Sequence, residues 1–287
     1  KPSSAASDVY KRQFFVGTVF SIGEGAFTTL HVKAKDVEKY VEIDPRLFRP
    51  HEVPLLLGDC SKAKKNFNKE EIKPLDNTEL TKGKHILVID SRNYCPYCEK
   101  LKSDVTNDYK GSIPMTYRTS DQLHGLRLES PSWATPSILF LEDGKEVFGY
   151  QGYIEPKDFY KLLGKFKLGN TEAYDVAFND GTDARFCKEY QIFKNTPEGV
   201  FVDKLSGAPL FDTKDRFVSR SGWLSFTRPV EGSVYELPDN SYGMRRTEIR
   251  SVSSDIHLGH VFDDGPNGMP RYCINATVLE FQPRERS

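Results

Sequence analysis

Residues 85–107 read HILVIDSRNYCPYCEKLKSDVTN. The run 85–90 is short and apolar, which predicts a buried strand, and 96–107 follows as a helix that starts just after Cys95. Cys95 and Cys98 therefore stand where a strand hands over to a helix. Their spacing lets two sulfurs close a small ring at the helix N-terminus. There the unpaired N–H groups and the helix dipole favour a thiolate on the first cysteine. An ordinary thiol with a pKa of about 8.5 is only a few per cent ionised at pH 7, so each ~1.4 kcal/mol of preference changes its reactive fraction severalfold. A lone C-x-x-C also suits half of a zinc site, or two incidental buried thiols. A zinc ribbon needs a second C-x-x-C or paired histidines, and this half of the chain has neither.

Outward from this stretch, 113–117 is a predicted strand with Pro114 near its start. Strands 137–141 and 146–149 follow, joined by a turn at Asp143 and Gly144. Residues 155–166 are a predicted helix with Phe159, Leu162, Leu163 and Phe166 at helical spacing, and a linker is expected over 164–171. Pro136, preceded by Thr135, stands before the hairpin, where it can hold a cis peptide against the dithiol or sit in an ordinary trans turn. Residues 85–166 resemble the thioredoxin fold, with Cys95 and Cys98 at its dithiol and Pro136 at its cis-proline; the C-P-Y-C tetrapeptide is also similar to that of glutaredoxins.

From about residue 172 helical periodicity largely disappears. Short apolar runs at 199–202, 208–211 and 273–281, separated by Gly, Pro, Asn and Asp, predict a β-rich domain of about 110 residues. No internal repeat is present. In Arg271-Tyr272-Cys273-Ile274-Asn275, strand alternation places Arg271, Cys273 and Asn275 on one face and the apolar pair on the other. A strand cysteine is usually structural. One flanked by a cation and an amide, in a chain that also carries His257-Leu-Gly-His260, reads as a nucleophile whose thiolate Arg271 would favour.

Residues 221–226 (SGWLSF), 246–250 (RTEIR), 257–266 (HLGHVFDDGP) and 271–275 (RYCIN) together resemble the B-type methionine sulfoxide reductases, which reduce the R epimer of methionine sulfoxide. The resemblance spans about 172–283. It implies attack by Cys273 on the sulfoxide sulfur, giving methionine and a sulfenic acid or an equivalent oxidised sulfur. The oxygen must be protonated to leave, and the family gives that work to its histidines, here His260 first and His257 second. Asn275 would orient the histidine or the substrate. Trp223 is either a flat apolar wall for the substrate methyl or a core residue. A metal held by His257, His260 and Cys273 is not expected without further cysteines.

The chain departs from the pattern in four places. Where many relatives hold a structural zinc with two C-x-x-C pairs, it has Asp203, Ser206, Ser251 and Ser254; hydroxyls are poor zinc ligands, so no structural zinc and no other cofactor is expected. Where many relatives carry the resolving cysteine, it has Ser221. Cys187 is then either an alternative resolver or an inert thiol beside an aromatic. Leu224 replaces the proline common after the tryptophan, and the loop from Gly265 to Arg271 is short.

Composition bounds the rest. Lys+Arg 40 against Asp+Glu 41 lacks the basic excess of a general nucleic-acid binder. No apolar run approaches the ~18 residues of a membrane span. Five cysteines cannot all pair internally, which points to thiol chemistry rather than a disulfide framework. The chain begins with Lys1, as a fragment or processed product would, and 3–13 (SSAASDVYKRQ) resembles translated sequencing adapter. Residues 12–22 have a basic start and an apolar run, but Gly and Glu break it, so no signal peptide is expected and the compartment, cytoplasmic or periplasmic, stays open. Residues 41–66, with Cys60, resemble the C-terminal part of a GDP-mannose dehydratase, but no G-x-G-x-x-G follows a strand in this chain.

The expected architecture is an α+β multidomain chain. An N-terminal segment (1–67) precedes a thioredoxin-like α/β domain (68–167) and a β-rich methionine-R-sulfoxide reductase domain (168–287). The expected partners are oxidised methionine in proteins or peptides and an external thiol reductant or thioredoxin-type donor, with no nucleic acid and no membrane. Re-reduction would come from Cys95 and Cys98. The alternative is a thiol-disulfide exchange or redox-binding module with an inactive C-terminal domain.

Overall fold

The computed structural model describes residues 76–131 and 134–284, together with two short antiparallel strands, β1 (Thr18–Val19) and β2 (Thr28–Thr29). The chain divides into Lys1–Lys73 and Pro74–Ser287. Residues 3–13 and 41–66, Cys60 included, lie outside the described residues, as does all of 12–22 except β1. No described helix is long and apolar enough to cross a membrane.

In the second unit, β3 (Lys84–Asp90) is central to a four-stranded sheet. It pairs in parallel with β4 (Met115–Thr119) and antiparallel with β5 (Ser137–Glu142), which pairs antiparallel with β6 (Lys145–Gln151). Both faces are covered, which is why the run is apolar without alternation. Ile86 and Val88 join Leu101, Val105, Phe159 and Leu163, whereas Leu87 and Ile89 join Leu80, Leu139 and Leu141. Helix α1 (Pro96–Leu101) starts as expected and continues as a wider π turn, Lys102–Thr106. Strand β4 begins at Met115 rather than 113, because Pro114 has no N–H to give and contributes only its carbonyl, which accepts from Ile86 N at 2.9 Å.

Helix α2 (Pro156–Leu168) buries Phe159, Tyr160, Leu163 and Phe166. It runs through the expected linker: Gly164 lies inside the helix, and a Cβ there would fall 2.2 Å from the Phe178 ring. Two short helices, α3 (Glu172–Phe178) and α4 (Lys188–Phe193), occupy the start of the region that reads as β-rich. Each spans less than two turns, too short to show a helical period.

The rest is two antiparallel sheets. The smaller holds β7 (Gly199–Asp203), β8 (Pro209–Asp212) and β15 (Leu279–Pro283). The larger holds β9 (Arg216–Phe217), β10 (Leu224–Phe226), β11 (Val234–Asp239), β12 (Arg246–Ser251), β13 (His257–Phe262) and β14 (Arg271–Ile274), in the order β11–β12–β13–β14–β10–β9. Aromatic rings join the two sheets, with Phe211 of β8 stacked on Phe226 of β10 at 4.6 Å and facing Tyr272 of β14 at 6.1 Å. The single run expected over 273–281 is two strands in different sheets, separated by a 3₁₀ turn at Ala276–Val278.

The two halves of this unit share one apolar cluster, from Ile86 to Leu279. Polar ties reinforce the join. Lys110 N donates to Ser206 O at 2.8 Å, and Lys157 pairs with Asp255 at 2.8 Å. The largely buried Lys167 ammonium donates to Lys204 O, to Ser112 Oγ at 2.7 Å and to Glu280 Oε1 at 2.7 Å. Lys167→Ala strands those acceptors and should lower unfolding stability by about 1–3 kcal/mol, read by urea denaturation.

Candidate active site

Two thiol centres are built. In the first, Cys95 is the N-cap of α1: its Sγ accepts from Cys98 N at 3.2 Å, and its carbonyl accepts from Glu99 N at 3.1 Å. Pro96 at the first helical position has no N–H to leave unpaired. Cys95 and Cys98 are joined in a disulfide with Cα atoms 5.2 Å apart. Cys98 is buried and Cys95 is half-exposed, so an incoming thiol meets Cys95. Thr135–Pro136 is cis, and Cys95 Sγ lies 4.0 Å from Thr135 O.

The second centre lies across the middle of the larger sheet. Cys273 on β14 stands directly opposite His260 on β13 and Ser225 on β10, and His260 stands opposite Glu248 on β12. Directly opposed residues share a face. His257 is three residues from His260, and strict alternation would send it to the other face. A β-bulge prevents this: Ile249 pairs with Gly259 but Arg250 pairs with His257, leaving Leu258 as the extra residue. The two imidazoles consequently lie 5.4 Å apart. Gly259 adopts φ +152°, and a Cβ there would fall 2.0 Å from Cys273 O.

Asn275 lies just past the end of β14, not on its outer face as alternation suggests. Buried, it holds the bulge. Its backbone N–H and side-chain amide both donate to Leu258 O, at 2.8 and 3.2 Å. Its Oδ1 accepts from Asp183 N at 3.0 Å, and Asp183 O accepts from Trp223 Nε1 at 3.0 Å. Asn275 thus orients the histidine strand and, through Asp183, the half-buried indole, over which the Arg185 guanidinium sits at 5.2 Å. The Asp183 carboxylate is itself fixed by the Thr277 N–H at 3.0 Å and hydroxyl.

Both imidazoles rest on carboxylates: His257 Nδ1 on Glu248 Oε1 at 2.7 Å and His260 Nε2 on Asp239 Oδ2 at 2.8 Å. Burial raises the Glu248 pKa, but hydrogen bonds from His257 and Arg250 outweigh it and the pKa falls. Hydrogen bonds from Ser241, then from His260, hold Asp239 far below the usual carboxylate range. Ionised carboxylates only accept, so the facing ring nitrogens carry protons. That leaves lone pairs on His260 Nδ1 and on His257 Nε2, the latter buried without a partner among the described residues. Burial pulls the His260 pKa down, ahead of the Asp239 bond that raises it, so His260 is neutral near pH 7.

Cys273 departs from expectation. Burial pushes its thiol up, outweighing both the Arg271 charge and a hydrogen bond from the Ser221 hydroxyl. Arg271 acts in the expected direction, but its guanidinium is shared. It forms a two-pronged pair with Asp264 at 2.8 and 2.9 Å and lies over the Phe262 ring at 4.5 Å. Cys187 is the N-cap of α4, with Sγ 3.7 Å from Asp183 Oδ2; burial, then Asp183 and Glu189, raise its thiol pKa against the Tyr190 N–H.

Asp180, Glu248 and His257 are grouped closely enough to hold a metal ion, but Arg250 already fills that role, donating to Glu248 at 2.8 Å and pairing with Asp180 at 3.4 Å. Asp203, Ser206, Ser251 and Ser254 do converge, all buried. Asp203 Oδ1 accepts from Leu205 N and Ser206 N at 2.8 and 3.0 Å, and Oδ2 accepts from the Ser254 hydroxyl. Ser253 bridges the Ser206 and Ser251 hydroxyls at 2.6 and 3.1 Å. Sequence reasoning missed Asp183, Asp239 and the role of Glu248. Only Glu248 left a trace, inside the quoted 246–250 segment.

Gly259→Ala should destabilise the chain by about 2–4 kcal/mol, through the carbonyl clash and the strained φ, and should depress activity by displacing both histidines. Gly243→Ala, at φ +70° in open space, should cost only about 1 kcal/mol. Parallel denaturation curves separate the two.

Residues 77–167 match the thioredoxin-like domain family and residues 170–283 match the SelR domain family. The second match contains every residue of the Cys273 centre, and the first contains the Cys95–Cys98 disulfide. The SelR domain implies methionine-R-sulfoxide reduction, and a thioredoxin-like domain implies a thiol redox partner. The chain thus joins a thioredoxin-like domain to a domain of the SelR family, the B-type methionine-R-sulfoxide reductases.

Proposed function

We propose that Cys273 is the nucleophile of a methionine-R-sulfoxide reductase and that the Cys95–Cys98 dithiol re-reduces it. The observation that carries this is the register of β13 and β14, which sets the only thiol of the larger sheet opposite His260, while Asp183 ties the Trp223 indole to the Asn275 that fixes the β13 bulge. Trp223 then serves as the apolar wall for the substrate methyl.

The charge states define the proton path. The resting pair is a protonated thiol and a neutral imidazole. The thiol proton passes to the free imidazole nitrogen, the sulfur attacks the sulfoxide sulfur, and the same proton is delivered to the sulfoxide oxygen. The balance is Cys–SH + R₂S=O → Cys–SOH + R₂S. Cysteine sulfur loses two electrons, the substrate sulfur gains them, and no outside proton is consumed. His260 is the shuttle; His257 Nε2 is the second candidate.

Cys95 would then attack the sulfenic sulfur, its thiol proton leaving with the hydroxyl as water, and Cys98 would displace Cys273 as a thiol to leave the Cys95–Cys98 disulfide. Tethering raises the local dithiol concentration to the order of mM when the sites can meet. The raised Cys187 thiol pKa favours this direct route over one through Cys187. An external thiol reductant or thioredoxin-type donor regenerates the dithiol.

We further propose that no structural zinc or other cofactor is needed. The site at Asp203, Ser206, Ser251 and Ser254 offers one carboxylate and three hydroxyls, already bonded to one another and to backbone N–H groups, where zinc prefers thiolates and imidazoles. Incubation with EDTA should leave the melting temperature unchanged; a fall of several degrees would refute the assignment.

Incubation with peptide methionine-R-sulfoxide and dithiothreitol should yield methionine, and Cys273→Ala should abolish it. Cys95→Ser should keep the dithiothreitol reaction but lose turnover driven by thioredoxin-type donors. Equal survival of both activities would end the relay.

The pH profile of kcat/KM has a stated sign. As pH falls through the lowered His260 pKa, the imidazole can no longer accept the thiol proton and the rate drops. As pH rises through the raised Cys273 pKa, the proton needed by the oxygen is lost and the rate drops again. The acid limb should lie below the ordinary histidine range and the basic limb above the ordinary cysteine range. His260→Asn should cost about 10²–10⁴-fold and remove the acid limb.

A further inference from the structure

A cavity of about 240 Å³ adjoins the Cys273 centre, lined by Tyr190, Lys194, Arg216, Ser219, Trp223 and Ser225 among others. Its link to the reacting sulfur is direct. Ser225 stands opposite Cys273 in the ladder, and Ser219 bonds to Ser225 at 2.7 Å and to Ser221 at 2.8 Å. Trp223 is therefore a wall shared by the sulfoxide site and this cavity. The volume lies below the roughly 300–1,000 Å³ of small-molecule pockets and suits one amino-acid side chain.

Its charge is one-sided. No acidic residue lines it. The half-buried Arg216 guanidinium donates to Phe193 O at 2.8 Å, Thr196 Oγ1 at 2.7 Å and Thr196 O at 2.9 Å, all neutral acceptors. Lys194 Nζ donates to the neutral Gln191 Oε1 at 2.6 Å. Among the described residues neither forms an ion pair, whereas Arg228, Arg246, Arg250 and Arg271 each hold a carboxylate. Burial also pulls the Arg216 pKa down, the mark of an uncompensated charge. A partly buried cation without a counter-ion is costly, and an incoming carboxylate relieves that cost.

We propose that this cavity is a specificity subsite that takes an acidic side chain close to the oxidised methionine of a polypeptide substrate, with Arg216 and Lys194 meeting its carboxylate. This rests on Cys273 being the sulfoxide-reducing thiol. Successive Cα atoms lie about 3.8 Å apart, so residues within two positions of the methionine fall within reach across the indole.

The test uses the full chain, dithiothreitol, free methionine-R-sulfoxide and three peptides differing only in whether Glu, Gln or Lys neighbours the methionine-R-sulfoxide. The expected order of kcat/KM is Glu, Gln, Lys, with about fivefold per step at low salt and a smaller spread at high salt. Lys194→Glu should invert the Glu-to-Lys ratio, and Arg216→Gln should flatten it. Because Arg216 also anchors Phe193 and Thr196, the Lys194→Glu ratio decides if the Arg216 variant fails to fold. Equal rates on all three peptides, or an unchanged ratio in Lys194→Glu, would overturn the subsite. Failure to reduce even the free sulfoxide would instead overturn the reading of Cys273.

Discussion

The close approach of β13 to β14 at Gly259 is the constraint on which the geometry of the Cys273 centre depends. The Cys273 carbonyl occupies the space where any side chain at 259 would begin. Because nothing projects there, Leu258 can bulge, and the parity of β13 changes between His257 and His260. Two imidazoles three residues apart then share one face with the thiol. The bulge leaves a carbonyl outside the regular ladder, and Asn275 satisfies it twice. The same amide fixes Asp183, and Asp183 fixes the indole. Histidines, thiol and indole are therefore set by one local arrangement rather than by three independent ones.

Burial decides the electrostatics of that arrangement. A cation two residues from a cysteine suggests a standing thiolate, yet desolvation is the larger effect and Arg271 spends much of its charge on Asp264. A neutral thiol beside a neutral imidazole follows, and this pair suits a reaction whose only proton requirement is at the sulfoxide oxygen. The carboxylates behind the imidazoles, Asp239 and Glu248, fix which nitrogen keeps its lone pair. Ser221 contributes a hydroxyl donor to the sulfur where relatives of the resembled type carry a second thiol.

The join between the two halves is continuous core. Gly164 inside α2 admits the Phe178 ring, and Lys167 reaches two acceptors on the far side, Lys204 O and Glu280 Oε1. The turn after β7 that contacts Lys110 is held by the Asp203 hydrogen bonds. Thus the cluster standing at the zinc-type positions also supports the surface on which the thioredoxin-like half rests.

The strand–C-x-x-C–helix passage and each of the C-terminal motifs were legible from the chain alone, because each is local: a dozen residues or fewer contain the whole pattern. Whether Thr135–Pro136 is cis was left to the fold. The apolar run 85–90 could announce a doubly covered strand for the same reason. The helices α3 and α4 were not legible, being shorter than the period that reveals a helix. Nor was the split of 273–281, where the turn at Asn275 arises from a bond to Leu258 seventeen residues away. Asp183 and Asp239 carry no pattern of their own and acquire roles only where the chain folds back on Trp223 and His260. Covalent order thus determined which chemical groups exist and which local elements hold them. Tertiary packing decided how deeply Cys273 and His260 are buried and which carboxylate each histidine meets, because desolvation and hydrogen bonding depend on neighbours in space rather than along the chain.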